Sequence, residues 1–142
     1  MIAGFQTAFA GFTPDGRNWT ATRALEYVRK DGTRLCAVVG FTTDGPSIPN
    51  HLQGVVSPVG PLFLCGALHD AAYRAYLEKF DGAQYAQWIP TKPESDLLFL
   101  ESMELAGIGL LHREAIYEAV HLFGHSAFDQ DRIEARAAGR IV

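Results

Sequence analysis

Three features of the sequence predict an α+β domain, a small N-terminal antiparallel sheet packed on about three C-terminal helices. Residues 1–41 carry strand-like alternation and a hairpin signal, residues 42–60 are crowded with proline and glycine, and from Pro61 apolar residues recur at helical spacing. A length of 142 residues suits one domain spanning 1–142. An apolar fraction of 48% with 20% charged residues is that of an ordinary globular chain and excludes wholesale disorder.

Ala24 to Lys30 alternates apolar and polar side chains in part, at the period of a half-buried strand. Asp31-Gly32 marks a hairpin, because glycine supplies the positive φ of a two-residue primed turn. Thr33 to Phe41 reads as the returning strand, and Phe5 to Phe12 and Asn18 to Thr22 as edge strands. Residues 42–60 hold three prolines and three glycines, so that stretch is expected to be a loop.

The helical part spans 61–124. Pro61 opens a first helix expected to reach about Phe80, followed by a loop over 81–90. Thr91-Lys92-Pro93-Glu94 has the spacing of a capping box and starts a second helix that should end at Gly107. A third runs from about Leu110 to Phe123, stopped by Gly124. Residues 125–142 carry a modest apolar pattern and read as a C-terminal tail.

Charge and apolar patterning exclude several classes of function. Twelve Lys and Arg against sixteen Asp and Glu give a net charge of −4 without a basic patch, so nucleic acid is not an expected partner. No apolar run approaches the ~20 residues of a membrane helix, and the start MIAGFQTAFAGF lacks the cationic n-region of a secretory signal. Two cysteines, Cys36 and Cys65, make no disulfide framework or zinc motif and read as buried thiols.

Helical phase selects the polar residues that point inward. On the first helix His69, Tyr73 and Tyr76 fall within about 60° of one another beside apolar residues, and Asp70 flanks that face. On the second, Glu94 and Glu101 mark a wet side and Phe99 and Met103 a core side. Asp96 lies about 140–160° from the two glutamates, in the middle of the core side. A buried carboxylate needs partners, and His69 and Tyr73 are the candidates. An Asp that holds one ring nitrogen of a histidine leaves the other to act as a general base, and the adjacent Asp70 suits a hard cation. The same residues also suit a core network that fixes helix register. An unbroken first helix would carry His69 about 16 Å from its end, so the pairing requires that helix to stop early or the loop to run back.

Other groups carry less. His121 and His125 have a zinc-compatible spacing, but His121 falls on a wet face with Glu114 and Glu118. Ser47 lacks the context of a nucleophile elbow. Leu98 and Leu105 fall on the charged side of the second helix without an evident partner, which points to a surface covered in a larger assembly.

Two resemblances follow from these residues. Leu25-Glu26-Tyr27, Gly40 to Pro49, Ala67-Leu68-His69-Asp70 with Tyr73, Asp96 with Phe99, Tyr117 and Gly124 together resemble the small phage and prophage family called domain of unknown function 1353. This resemblance covers Trp19 to Gly124 and implies a phage or prophage origin, a place in the virion or the host cytoplasm, and other phage structural proteins as partners. Cys65-x-x-x-His69-Asp70-x-x-Tyr73, with Asp96 on the next helix, resembles the catalytic helices of phospholipase A2. Carried over, His69 activates water, Asp70 binds Ca²⁺, and Tyr73 and Asp96 orient His69, with a lipid or ester as substrate. The disulfides of that family are absent, and its Gly-rich calcium loop is replaced by the stretch around Asp44-Gly45-Pro46-Ser47, where Asp44 is the second expected metal ligand. The expectation is therefore a particle- or tail-associated protein with a hydrolase-like site. The alternatives are a non-enzymatic component of a particle and a small intracellular phage accessory protein.

Overall fold

Antiparallel pairing organises the first third of the chain. A computed structural model describes residues 2–6, 12–15, 18–43 and 61–141. Strands β4 (Leu25–Val28) and β5 (Arg34–Ala37) form the expected hairpin, with Val28 opposite Arg34 and Leu25 opposite Ala37. Its turn differs from the two-residue expectation. Arg29 N–H donates to Thr33 O at 2.8 Å and Gly32 N–H to Arg29 O at 2.9 Å, so the connection is Lys30-Asp31-Gly32 with Gly32 at φ 89°. That is a type I turn closed by a left-handed glycine, the usual three-residue hairpin.

The hairpin sits inside a five-stranded sheet, ordered β1-β4-β5-β7-β8, with β1 (Gly4–Phe5), β7 (Leu77–Phe80) and β8 (Tyr85–Gln87). A smaller sheet, β2-β3-β6, joins β2 (Phe12–Asp15), β3 (Asn18–Ala21) and β6 (Thr42–Thr43). Strand Thr33 to Phe41 was expected to run unbroken; it stops at Ala37, and Gly40 (φ 90°) turns the chain so that β6 joins the second sheet. The loop expected over 42–60 is corrected at its start, where Thr42–Thr43 pair with β3 as β6, and its remainder, with Asp44, lies outside the described residues.

The first helix corrects the sequence reading most. α1 (Pro61–Tyr73) ends seven residues before Phe80. Ala75 adopts φ 62°, Arg74 N–H caps Asp70 O, and Tyr76 N–H reaches back to Ala71 O at 2.9 Å. That 6→1 bond around a left-handed residue is a Schellman stop, made with alanine in place of glycine. The chain then enters β7 and pairs with β5, Cys36 opposite Glu78, and returns through β8 across the stretch expected to be loop. Leu77 and Phe80 are three apart, a spacing that helix and strand share with too little sequence to separate them.

α2 (Lys92–Leu105) begins as expected. Thr91 Oγ1 accepts from Glu94 N–H at 3.2 Å while Thr91 N–H donates to Glu94 Oε1 at 3.0 Å, and Gly107 turns the chain at φ 82°. α3 (Leu110–Phe123) also matches. The expected tail is instead a fourth helix, α4 (His125–Ala137), started directly from Gly124. Its docking is largely polar, with Phe128 edge-on to Tyr73 and Ala135 buried as its apolar contacts. Buried Arg132 donates from Nη2 to Ala72 O at 3.1 Å and to Pro90 O, and Arg140 Nε donates to Arg74 O at 2.9 Å.

α1 is buried on every side, as a helix must be when it lies between a sheet and other helices. One core joins Phe63, Leu64, Leu68 and Ala71 to Leu25, Tyr27, Leu35 and Leu77 of the sheet; a second joins Leu62 and Cys65 to Phe99, Met103, Ile116 and Val120. Cys65 is fully buried there and Cys36 is half-buried; both are free thiols. Leu98 is fully buried in the sheet-side core and Leu105 packs against it. Glu101 accepts from Tyr27 Oη at 2.8 Å and pairs with Arg29 at 3.4 Å. The side of α2 read as wet at Glu101, and as covered only by an assembly at Leu98 and Leu105, is thus the side the domain's own sheet covers. No helix among the described residues is long and apolar enough to cross a membrane.

Candidate functional site

α1, α2 and α3 meet at one carboxylate. Asp96 has no solvent exposure and is bonded from three directions. His69 Nε2 lies 2.9 Å from Oδ1, Tyr73 Oη donates to the same oxygen at 2.6 Å, and Lys92 Nζ donates to Oδ2 at 2.7 Å. The pairing that helical phase pointed to is present. The early end of α1 makes it possible, because His69 then stands one turn from the helix terminus and opposite the start of α2.

Each side chain is set by its element. His69 and Tyr73 are four apart on α1, so their rings lie on one stripe with centroids 4.2 Å apart, and the imidazole stacks on Phe99 of α2 at 4.4 Å. Asp70, one residue on, turns about 100° away and meets the other side of the molecule, where Thr43 Oγ1 donates to its Oδ2 at 2.5 Å. Asp70 is buried, and β6 presents Thr43 to it from the smaller sheet.

The sequence reading does not single out Lys92, and it weighs His121 only as half of a zinc-spaced pair with His125. Lys92 is i−4 to Asp96 on α2, a spacing that forms an ion pair on any helix, and that spacing was the signal available. It also donates to Val120 O at 3.0 Å and His121 O at 3.2 Å. A buried ammonium there adds a donor to Val120 O, which already accepts from Gly124 N–H, bonds His121 O as well, and complements the negative end of the α3 dipole. His121, expected on a wet face, is 44% exposed in its side chain and yet brings Nδ1 to 3.7 Å from Asp96 Oδ2. Gly124 closes the site, for a Cβ there would stand 3.1 Å from Tyr73 Oη.

Burial alone would raise the Asp96 carboxyl. Bonds from His69, Lys92 and Tyr73 outweigh it and hold the group at about 2, so the cluster keeps a buried anion. The Tyr73 phenol is pushed well above its ordinary value by burial and then by the same anion, and stays a donor. With the carboxylate ionised, His69 presents Nε2–H to it.

Asp70 offers one carboxylate on the Thr43 side. Among the described residues no three His, Cys, Asp or Glu side chains converge as a metal centre requires. Asp44, the other expected ligand, lies outside the described residues. Asp96, His69 and Tyr73 are thus assembled as one unit and Asp70 stands apart from it.

No curated protein and no solved structure matches the chain. The motifs that run from Trp19 through the His69-Asp70 pair to Tyr117 do find a counterpart: the profile described as protein of unknown function (DUF1353) matches residues 19–120, well over half the chain, and the chain belongs to that family.

Proposed function

We propose that this chain is a phage- or prophage-borne protein, associated with a tail or particle, that carries a phospholipase-A2-like His–Asp hydrolase site. The observation that supports it most is the shared acceptor: Asp96 Oδ1 takes both His69 Nε2–H and the Tyr73 hydroxyl. In that arrangement His69 Nδ1 takes a proton from water as the water oxygen attacks an ester carbonyl. Asp96 stabilises the imidazolium, Tyr73 keeps the carboxylate from turning, and the proton passes from Nδ1 to the departing alkoxide. Ester and water leave as acid and alcohol. Asp70 with Asp44 would hold Ca²⁺, which when bound polarises a carbonyl and stabilises an oxyanion. The phage origin and the particle partners rest on the family resemblance.

A second reading has its own observation. His69, Tyr73, Asp70 and Lys92 are all buried with Asp96, and a buried ammonium already neutralises that carboxylate. A non-enzymatic component would use such a network to fix the register of three helices.

His69→Gln separates the two. As a hydrolase, the wild type cleaves phospholipid in vesicles or a soluble ester, and the variant loses about 10²–10⁴-fold of that rate with its melting temperature little changed. As a strut, the wild type cleaves neither, and the variant loses about 1–3 kcal/mol of stability together with its incorporation into particles. That second outcome sinks the hydrolase. Calcium is tested by melting with the ion and with chelator. Binding at a hundredfold excess over Kd adds about 2.7 kcal/mol, which Asp70→Asn should remove; coincident melts at millimolar calcium discard the ion.

A further inference from the structure

Two surfaces remain that the buried cluster does not use. On α3 the face opposite α2 carries Leu111 and Leu122, 84% and 59% exposed, with exposed Ala115 between them on the same stripe. Glu114 and Glu118 run along its flank, and no ion pair among the described residues neutralises them. The second surface is a groove of about 780 Å³ between residues 89–93 and α4. Ile89, Phe128 and Ile133 form its apolar lining. Arg132 and Arg136, one turn apart, give it charge against a single acidic residue, Asp129.

Neither arginine has a carboxylate partner among the described residues. Arg132 lies over the Phe128 ring at 4.7 Å, gives Nη2 to two backbone carbonyls, and leaves Nε buried without an acceptor. Arg136 is exposed. The groove borders the Asp96 cluster at Lys92 and at Phe128, whose ring packs edge-on to Tyr73. Lys92 lines the groove and binds Asp96 Oδ2, while His69 is held on the other oxygen.

We infer that the groove receives the outer face of α3 from a second copy of this chain. Leu111 and Leu122 seat against Phe128 and Ile133, and Glu114 and Glu118 meet the exposed Arg136, while Arg132 stays buried on Ala72 O and Pro90 O and adds only its charge. Charge selects this pairing. Two α3 stripes placed together would set glutamates against glutamates, a juxtaposition that costs affinity, whereas the groove offers the opposite sign beside the same apolar floor. The contact joins two different patches, so every added copy leaves one of each open. Assembly therefore proceeds to a ring or a filament and not to a closed twofold dimer.

Sedimentation velocity tests this between about 1 µM and about 1 mM protein, the range in which weak complexes populate, at low salt so that the charges act over about 10 Å or more. The wild-type mass should rise past two chains. Arg136→Glu, which blocks the groove, and the Leu111→Ser/Leu122→Ser variant, which strips the stripe, should each stay at one chain. All three positions are exposed, so the fold should be retained, checked by circular dichroism. Mixed in equal amounts, the two variants have one intact pair of surfaces between them and should sediment as two chains and no more. A wild type that stays at one chain throughout overturns the inference. So does an Arg136→Glu variant that still self-associates, or a mixture in which no two-chain species forms.

Discussion

Asp96 binds its neighbours with both oxygens, and the energetic consequence is asymmetric. Removing the charge strands a buried ammonium. Asp96→Asn should therefore cost about 3–5 kcal/mol in urea unfolding, while the double variant Asp96→Asn/Lys92→Met, which removes both charges, should regain much of it. A single variant within 1 kcal/mol of wild type, an error-scale effect for such series, would mean that the pair contributes nothing. Acid offers a second measurement. The folded carboxyl titrates near 2 against an ordinary 3.8, so its contribution is complete above about pH 4 and is lost as pH falls toward 2. At about 1.4 kcal/mol per unit that amounts to roughly 2 kcal/mol. The double variant should show a correspondingly shallower acid slope in its urea midpoints, and parallel slopes would deny Asp96 this role.

Glycines at two helix ends distinguish crowding from backbone strain. Gly124 joins α3 to α4 at φ −85°, an ordinary conformation, but an added Cβ would collide with Val120 O and lie 3.1 Å from Tyr73 Oη. Gly107 has open space and φ 82°. Gly124→Ala should lose about 1–3 kcal/mol and disturb the near-ultraviolet signal of Tyr73. Gly107→Ala should lose about 1–2 kcal/mol from its left-handed backbone and leave that signal alone. Identical spectra in both variants would remove the packing argument. The elements that were legible in the sequence are those marked by local chemistry: the capping box at Thr91, the turn at Gly32 and the boundaries of α3. The end of α1 was not legible, because the residue that adopts the left-handed conformation is Ala75, and alanine carries no such mark. The same holds for the cluster. Asp96, His69 and Tyr73 followed from helical phase, whereas the contact of Lys92 with the end of α3 depends on tertiary packing that no local pattern encodes.

At the scale of the whole molecule, α1 belongs to both cores, so sheet and helices should unfold together, whereas α4 is attached chiefly by polar bonds. Arg132→Met leaves Ala72 O and Pro90 O without their donor. Protease should then cut within α4 much sooner than in the wild type, with the cleaved body still cooperatively folded. Uniform resistance in both proteins would show that Arg132 does not hold this helix.

Cys65 turns that shared core into a clock. Burial between α1 and α2 pushes its thiol up to about 12, so at neutral pH the folded protein presents almost no thiolate there. In a Cys36→Ser background, a thiol reagent can label the chain only in the moments when α1 separates from α2 and α3. Where reclosing outpaces labelling, the labelling rate reads the equilibrium population of the open state. The buried thiol thereby records, under fully native conditions, how often the three helices that build the Asp96 cluster come apart.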